Sequence, residues 1–366
     1  MLGKFFFALL FFSSVISASN LKLEVLTFSA GSEIYSSWGH NAIRVTDLEG
    51  KQYVFDYGTF QYDDAFLFKF FAGTPKYWLS KSTWELREFI TRRRGVAVWS
   101  HTIQLSQPQI ASIALYLDRL SKSERDKFYD YDALIKNCTT KIRDLLVDNI
   151  GSQIFAEINN DQGKAESFRS IHEKNIVGSI LFHLGIITLF NHEVEKKINR
   201  AKQSYLPKMF YNELEAVAVK FPGIVAPGKL ILKASQGSKS NISWQVPTIG
   251  CLLLLLLFYQ YSPFFQQSVY ALIGVVRGLL FIILALFFFS EWNYFSMNPA
   301  LLLYNPLPLL SLVPRFKKVC LRVVLALGLV LLVSSIGNVA PDRFLLYLLV
   351  FSFDLLTYAK ARKQFI

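Results

Sequence analysis

The sequence predicts an α+β exported domain followed by a C-terminal bundle of transmembrane α-helices. Three observations support this fold class. An apolar run at residues 5–16 follows a single Lys4 and ends in small residues. Strand-like and helix-like patterns then follow one another up to about residue 234. From about residue 247, Leu, Phe, Val and Ile dominate the chain, which is typical of membrane helices.

These composition changes predict the domain boundaries. The N-terminal segment has the form of a secretory signal cleaved after Ala18, with an uncleaved anchor as the alternative; either way the next domain is exported. We predict a signal peptide at 1–18, an exported domain at 19–234, a Gly/Ser/Lys-rich linker at 235–246, about five transmembrane helices at 247–360 and a cytoplasmic tail at 361–366.

The exported domain begins with β-structure. Residues 21–28 alternate as a strand does, and residues 36–45 and 52–58 form two β-rich runs around an Asp and a Gly, which indicates a hairpin. A two-residue turn would place Tyr57 on the same face as His40, whereas a longer turn would place Asp56 there.

The following elements are mixed. An amphipathic helix over residues 108–120 is introduced by Ser106, and residues 155–174 are predicted to be a loop or lid. The run 176–190 is short for a membrane span and is read as core or as a surface-associated segment. Further predicted elements are helices at 66–71 and about 78–91 and a strand at 96–105.

The hydrophobic third of the chain predicts five spans, near residues 247–261, 270–289, 301–313, 319–336 and 344–358, of which the third is broken by prolines. By the positive-inside rule, the basic clusters at 315–318 and 360–363 face the cytoplasm, which leaves the exported domain on the other side. Arg277 lies inside the second span and is therefore a functional candidate, paired with Asp354 or holding a lipid phosphate; the alternative is that it snorkels or packs in the bundle.

Charge limits the classes of partner. The chain has 39 Lys and Arg against 27 Asp and Glu, a net charge of +12 that divides about evenly between the two parts. This balance suits a surface next to anionic lipid head groups, and no nucleic-acid-binding module is recognisable. No cofactor and no metal site are predicted.

Cys138 is the candidate nucleophile. The other two cysteines, Cys251 and Cys320, lie in predicted membrane segments, so the exported domain has no disulfide framework. Apolar residues recur at helical spacing from Ile142, and Asn137 is a good N-cap, so Cys138 falls in the first helical turn. The helix N-terminus lowers a thiol pKa. The alternative is a buried, inert cysteine.

His40 is the candidate base. An imidazole and a thiol in one exported domain are the groups that thiol nucleophilic catalysis needs, with backbone N–H groups near Cys138 as part of an oxyanion hole and Tyr57 or Asp56 orienting the ring. The alternative for His40 is a hydrogen-bonded core histidine. Arg44 and Arg277 are the substrate-binding candidates, and the alternative for Arg44 is a structural ion pair.

Four blocks of sequence together resemble the exported domain of the Lnb family of lipoprotein N-acyltransferases. More distantly, the order of His before Asn-Cys is similar to the permuted NlpC/P60 and lecithin:retinol acyltransferase group, which has papain-like folds. The resemblance runs from about Val25 to about Leu214. The blocks are Ser37–Val45, Tyr57–Phe60, Tyr129–Asp132 and Asn137–Thr140, with weaker matches at Phe168-Arg169 and Leu206–Phe210.

The resemblance implies a permuted papain-like domain that faces the periplasm from a multi-pass protein of the bacterial inner membrane. Cys138 would take an acyl chain from a phospholipid as a thioester and pass it to the N-terminal amine of a diacylated lipoprotein, with His40 as base and Asn137 as cap or oxyanion-hole neighbour. Trp38 and Lys141 stand where the family more usually has Phe and Arg.

Two other functions remain open at this stage. The first is an exported cysteine hydrolase acting on peptidoglycan peptides or lipid esters, in which water resolves the acyl-enzyme. The second is a lipid- or lipoprotein-binding module without catalysis, in which Cys138 is structural.

Overall fold

The computed structural model describes residues 20–31, 36–151, 166–175, 188–198, 200–235, 263–336 and 341–363. The predicted signal peptide, most of the predicted loop at 155–174, most of the linker and the first predicted span lie outside the described residues.

The N-terminal region, up to residue 235, is an α+β structure built on a seven-stranded antiparallel sheet. The strands are β1 (Lys22–Phe28), β2 (His40–Thr46), β3 (Gln52–Phe60), β4 (Lys76–Thr83), β5 (Val98–Ile103), β6 (Phe128–Asp130) and β7 (Lys229–Leu232). Their order across the sheet is β6-β4-β3-β2-β1-β5-β7. The two strands that carry the sequence-predicted site, β2 and β3, are therefore central and supported on both sides.

Helices cover both faces of the sheet. The helices are α1 (Phe66–Ala72), α2 (Trp84–Arg94), α3 (Gln107–Lys122), α4 (Cys138–Ile150), α5 (Phe168–Asn175), α6 (Arg200–Gln203) and α7 (Pro207–Lys220). One face packs on α3, α4 and α7 through a core that includes Ile43, Phe55, Leu117, Ile142 and Phe210. On the other face, a second core cluster includes Leu26, Ala42 and Val54 and packs against Trp84 of α2.

The hairpin of β2 and β3 has the longer of the two turns considered. Ile43 pairs with Phe55, and Thr46 pairs with Gln52, so residues 47–51 form the turn. Because side chains alternate between faces, this register places Asp56 on the same face as His40. Tyr57 instead packs in the core on the opposite face, so its predicted role in orienting the His40 ring is not supported by the geometry.

Two other predictions about local structure were wrong or missing. The helix predicted at about 78–91 begins only at Trp84, where the Thr83 hydroxyl accepts the Leu86 N–H as an N-cap. The residues before it form β4 because they alternate and find partners on both sides, β3 and β6. Strand β7 was not predicted, since four residues beside β5 have too short a pattern to detect.

The C-terminal region contains α8 (Pro263–Phe288), α9 (Leu307–Leu310), α10 (Pro314–Ser335) and α11 (Pro341–Lys363). Among the described residues, one helical stretch, Ala271–Phe288, is long and apolar enough to cross a membrane. The third predicted span is interrupted at its prolines, as the sequence indicated: residues 299–302 form a 3-10 helix and α9 is a separate single turn, because the prolines interrupt the hydrogen-bond ladder. A bundle of five spans stays a prediction.

The segment after α8 packs against the N-terminal region. Trp292 and Tyr294 are buried in a cluster with Leu134, Ile171 and Tyr205. The Trp292 indole donates to the Tyr131 carbonyl at 3.2 Å, and the Tyr294 hydroxyl donates to Asp132 at 3.2 Å. These contacts place the end of the apolar helix next to the loop that leads into Cys138.

Candidate active site

Cys138 is the first residue of α4. The Asn137 side-chain oxygen accepts the N–H groups of Thr139 and Thr140 at 2.9 and 3.0 Å, which confirms the predicted N-cap. The cap does not use the N–H of Cys138 itself, so this donor remains at the helix start beside the sulfur. The Thr139 hydroxyl donates to the Asn41 side chain at 2.9 Å and fastens the start of α4 to β2.

The structure brings the predicted nucleophile and base together. The Cys138 thiol lies close enough to the His40 ring and to the Asn41 backbone N–H for both to lower its pKa. The Nε2 atom of His40 lies 2.8 Å from the Asp56 Oδ1. That contact leaves Nδ1 as the ring nitrogen for the thiol. Cys138, His40 and Asp56 therefore form a line of three groups in which the proton can move between thiol and imidazole while the carboxylate orients the ring.

Gly58 and Arg87 hold the carboxylate of this line. The Asp56 Oδ1 accepts the Gly58 N–H at 2.6 Å, and its Oδ2 pairs with Arg87 at 2.7 Å. The pairing of β3 with β4 shifts register between Asp56 and Thr59, which creates the irregularity at Gly58. The His40 ring lies directly over Gly58, since a Cβ there would come within 2.4 Å of the ring Cε1.

The electrostatics favour a charged thiolate–imidazolium pair. Burial alone would lower the pKa of His40, but the negative charges of Asp56 and Cys138 raise it to about 10. Burial alone would raise the pKa of the Cys138 thiol, but His40 and the Asn41 N–H bring it below its ordinary value. Despite burial, His40 and Arg87 hold the pKa of Asp56 far below its usual range. A proton on His40 and a charge on sulfur are the expected resting state.

Tyrosine rings pack in or against the same core cluster as Cys138. Tyr77 stacks on Tyr131 at 4.0 Å, and Tyr129 lies edge-on to Tyr57 at 6.2 Å. Burial, and after it the charge of Cys138, raises the pKa of Tyr77 and of Tyr129, so both hydroxyls stay protonated. Cys138 itself is only partly buried.

The Asn137 side chain has a structural role at the start of α4. Besides the cap, its Nδ2 donates to the carbonyls of Ala133 and Tyr205 at 2.8 and 3.2 Å. With both ends of the amide engaged in this way, the side chain lacks a donor to offer an oxyanion. The geometry favours the cap, one of the two predicted roles.

The two predicted arginines lie away from the sulfur. Arg44 is buried, donates to Glu24 at 2.7 Å, stacks over Trp84 and lies four residues, about 13 Å, along β2 from His40. This arrangement favours the structural ion pair. Arg277 donates to both carboxylate oxygens of Asp354, at 2.7 and 3.0 Å, and to the Leu303 carbonyl, so the predicted pairing with Asp354 is confirmed.

Three contributing residues were missed by the sequence reasoning. Arg87 lies on the outer helix α2 and carried no signal, because an Arg on a polar helix is commonplace. Gly58 stood inside a quoted block without a role, and Asn41 followed the candidate base directly; both positions could have been examined as neighbours of a site. Among the described residues, no group of three or more His, Cys, Asp or Glu side chains could hold a metal ion.

Comparison with known proteins gives one match. Residues 11–173 match a family model described as the Lnb N-terminal periplasmic domain. No curated protein and no solved structure matches the chain. The matched range contains every member of the Cys138, His40 and Asp56 line.

Proposed function

We propose that this chain, which belongs to the Lnb family, is a membrane-bound lipoprotein N-acyltransferase. In this proposal Cys138 is the nucleophile, His40 is the base and Asp56 orients the base. The acyl donor is a phospholipid, and the acceptor is the N-terminal cysteine of a diacylated lipoprotein. The observation that supports this most directly is the line of thiol, imidazole and carboxylate at a helix N-terminus, in which the imidazole lies 2.8 Å from the carboxylate and the thiol is close enough to the imidazole for each to shift the pKa of the other.

In the first half-reaction the Cys138 thiolate attacks the carbonyl carbon of a lipid ester. A C–S bond forms, and the Cys138 N–H at the start of α4 is placed to stabilise the oxyanion. As the ester C–O bond breaks, the imidazolium of His40 gives its proton to the departing lipid alkoxide. The products are a thioester on Cys138 and a lyso-lipid alcohol.

In the second half-reaction the amine of the lipoprotein attacks the thioester carbon. His40, now neutral, takes a proton from the amine nitrogen as the C–N bond forms. The C–S bond breaks, and the thiolate returns beside the imidazolium. Asp56 stays ionised throughout because Arg87 and the Gly58 N–H hold its charge.

Placement at a membrane supports a lipid donor. The site-bearing domain is followed by an apolar helix whose exit segment packs on the loop before Cys138. We propose that the protein spans the bacterial inner membrane several times with this domain in the periplasm. The order of the His strand before the Cys helix is what a permuted papain-like domain would have, and we propose that relationship as well.

The test uses the purified full chain, phospholipid vesicles and a synthetic diacylated lipopeptide. Intact mass analysis should find one added acyl chain on the lipopeptide. Cys138→Ala is expected to abolish the transfer, and His40→Ala to reduce it by about 10² to 10⁴-fold. Cys320→Ala is the matched control, since Cys320 is buried in α10 far along the chain, and it should transfer normally.

Each contrary outcome has a distinct meaning. Full transfer by Cys138→Ala would remove the mechanism. Release of free fatty acid with no acylated lipopeptide would identify a hydrolase, in which water resolves the thioester. Failure of an alkylating probe to label Cys138 in the wild-type protein would indicate a binding module with an inert thiol.

A further inference from the structure

The short helix α1 presents large apolar side chains to solvent. None of its seven residues is buried. The exposed fractions of Leu67 and Phe68 are 52% and 75%. An exposed group of large apolar residues on one element usually marks a surface that another apolar phase covers.

Helix α1 is attached to the end of the apolar helix α8. Phe71 lies edge-on to Phe287 at 4.9 Å, and the Ala72 carbonyl accepts the Glu291 N–H at 2.8 Å. Gly73 makes this close approach possible, since a Cβ there would come within 2.7 to 2.9 Å of atoms of residues 290–292. Helix α1 is therefore fixed at the point where α8 ends.

Exposed apolar side chains continue beyond the end of α8. Phe289 and Met297 are exposed by 86% and 74%. The Met297 N–H donates to the Phe288 carbonyl at 3.1 Å, so the two lie together. If Ala271–Phe288 crosses the bilayer, then Phe289, Met297 and the exposed face of α1 lie at the membrane interface, where that helix leaves the hydrocarbon core. Aromatic side chains are commonly placed at this interface.

A row of aromatic rings connects α1 to the site. Phe66 of α1 stacks on Phe60 at 5.2 Å, Phe60 on Tyr77 at 4.9 Å, and Tyr77 on Tyr131 at 4.0 Å. The last two rings pack against the same core cluster as Cys138. This aromatic row, made of Phe66, Phe60, Tyr77 and Tyr131, runs from the end of α8 to the surroundings of the sulfur.

We propose that α1 is a membrane-docking element: Leu67 and Phe68 enter the outer leaflet of the bilayer, and the aromatic row guides a lipid acyl chain towards Cys138. The guiding role rests on the proposed function. A bilayer is the occupant that the structure favours, because the exposed face is continuous with the end of the one described helix that can span a membrane. Each apolar side chain that such a helix buries in the leaflet makes the free energy of membrane binding more favourable.

The docking itself is tested without catalysis. The full chain is reconstituted in vesicles that contain a phospholipid with a photoactivatable diazirine in its acyl chain, and the cross-linked residues are mapped by mass spectrometry. We expect cross-links within residues 66–71 and at Phe289 or Met297, besides those in 271–288. Cross-links within 271–288 and none in α1 would overturn the proposal.

The guiding role is tested with two acyl donors, phospholipid in vesicles and the water-soluble ester p-nitrophenyl butyrate. Phe66→Asp, which changes the first ring of the aromatic row, should lower the rate of Cys138 acylation by vesicle phospholipid, relative to that by the soluble ester, by about tenfold, the order expected for removing one large apolar group from contact with lipid. Leu48→Asp is the matched control: Leu48 is 55% exposed in the turn at the far end of β2, and the ratio should not change.

An unchanged ratio in Phe66→Asp would overturn the guiding role. Circular dichroism of the variant confirms that its fold is intact. If wild-type Cys138 reacts with neither donor, the proposed function fails, and the cross-linking result alone decides whether α1 docks in the membrane.

Discussion

Replacing Asp56 by Asn tests whether the buried carboxylate controls the charge of the base. The substitution keeps the size of the side chain and removes its negative charge. In the wild-type protein this carboxylate lies 2.8 Å from the His40 Nε2 and is also paired with Arg87. The amide would leave the imidazolium without its anion in a largely buried place, where charge is costly.

The structure gives the size of the effect in two ways. Opposite unit charges 2.8 Å apart attract by about 6 kcal/mol at an effective dielectric constant of about 20. The rise of the His40 pKa from 6.5 to about 10 corresponds to about 5 kcal/mol. The second value is a net effect, since burial opposes the rise and the charge of Cys138 adds to it. Without Asp56, burial dominates and the pKa of His40 falls well below 10.

The assay is the pH dependence of kcat/KM for acyl transfer. The thiolate–imidazolium pair exists between the lowered pKa of Cys138 and the raised pKa of His40, so the rate should rise through the first and fall near pH 10. In Asp56→Asn the alkaline limb moves to lower pH and the acid limb to higher pH. The profile narrows, and kcat/KM at neutral pH should fall by about 10²-fold or more.

A matched variant separates charge from folding. Arg87→Gln removes the other partner of the same carboxylate and leaves the anion beside His40, so its pH profile should stay broad. Thermal unfolding of both variants measures any loss of stability from the unpaired partner. An Asp56→Asn enzyme with the wild-type profile would refute the assignment of Asp56.

Two further predictions concern Gly58 and His172. Gly58→Ala should reduce acyl transfer by about 10²-fold while the fold persists. The reason is that the new Cβ would come within 2.4 Å of the His40 ring and displace it. Normal transfer by a variant whose circular dichroism shows an intact fold would contradict this geometry. Burial lowers the pKa of His172 to about 4. Between pH 6.5 and pH 4 the unfolded chain therefore binds a proton that the folded chain does not. The free energy of unfolding should fall by up to about 3 kcal/mol as the pH drops across this range. In urea unfolding, the free energy of unfolding of His172→Gln should depend less on pH than that of the wild-type protein. Equal pH dependence in the two proteins would argue against His172 as the group responsible.

The local patterns were the reliable part of the sequence. The strand over residues 22–28, the helix introduced by Ser106 and the cap at Asn137 all have their signals within a few neighbouring positions. The helix expected at about 78–91 was wrong in its first half because Lys76–Thr83 becomes a strand only through its partners on both sides. The crossing expected at 301–313 stays a prediction, and the prolines named within it divide the segment into a 3-10 helix and a single helical turn.

By itself, the sequence determined which two side chains to consider. Cys138 follows a capping residue at the start of an amphipathic helix, and His40 begins a β-rich run; both facts are local. Tertiary structure decided what surrounds them. The length of the turn at 47–51 sets the strand register that places Asp56, and not Tyr57, on the same face as His40. Arg87 contacts the Asp56 carboxylate from a separate helix. Strand register and helix packing bring together residues that are distant along the chain, and no local pattern specifies those contacts.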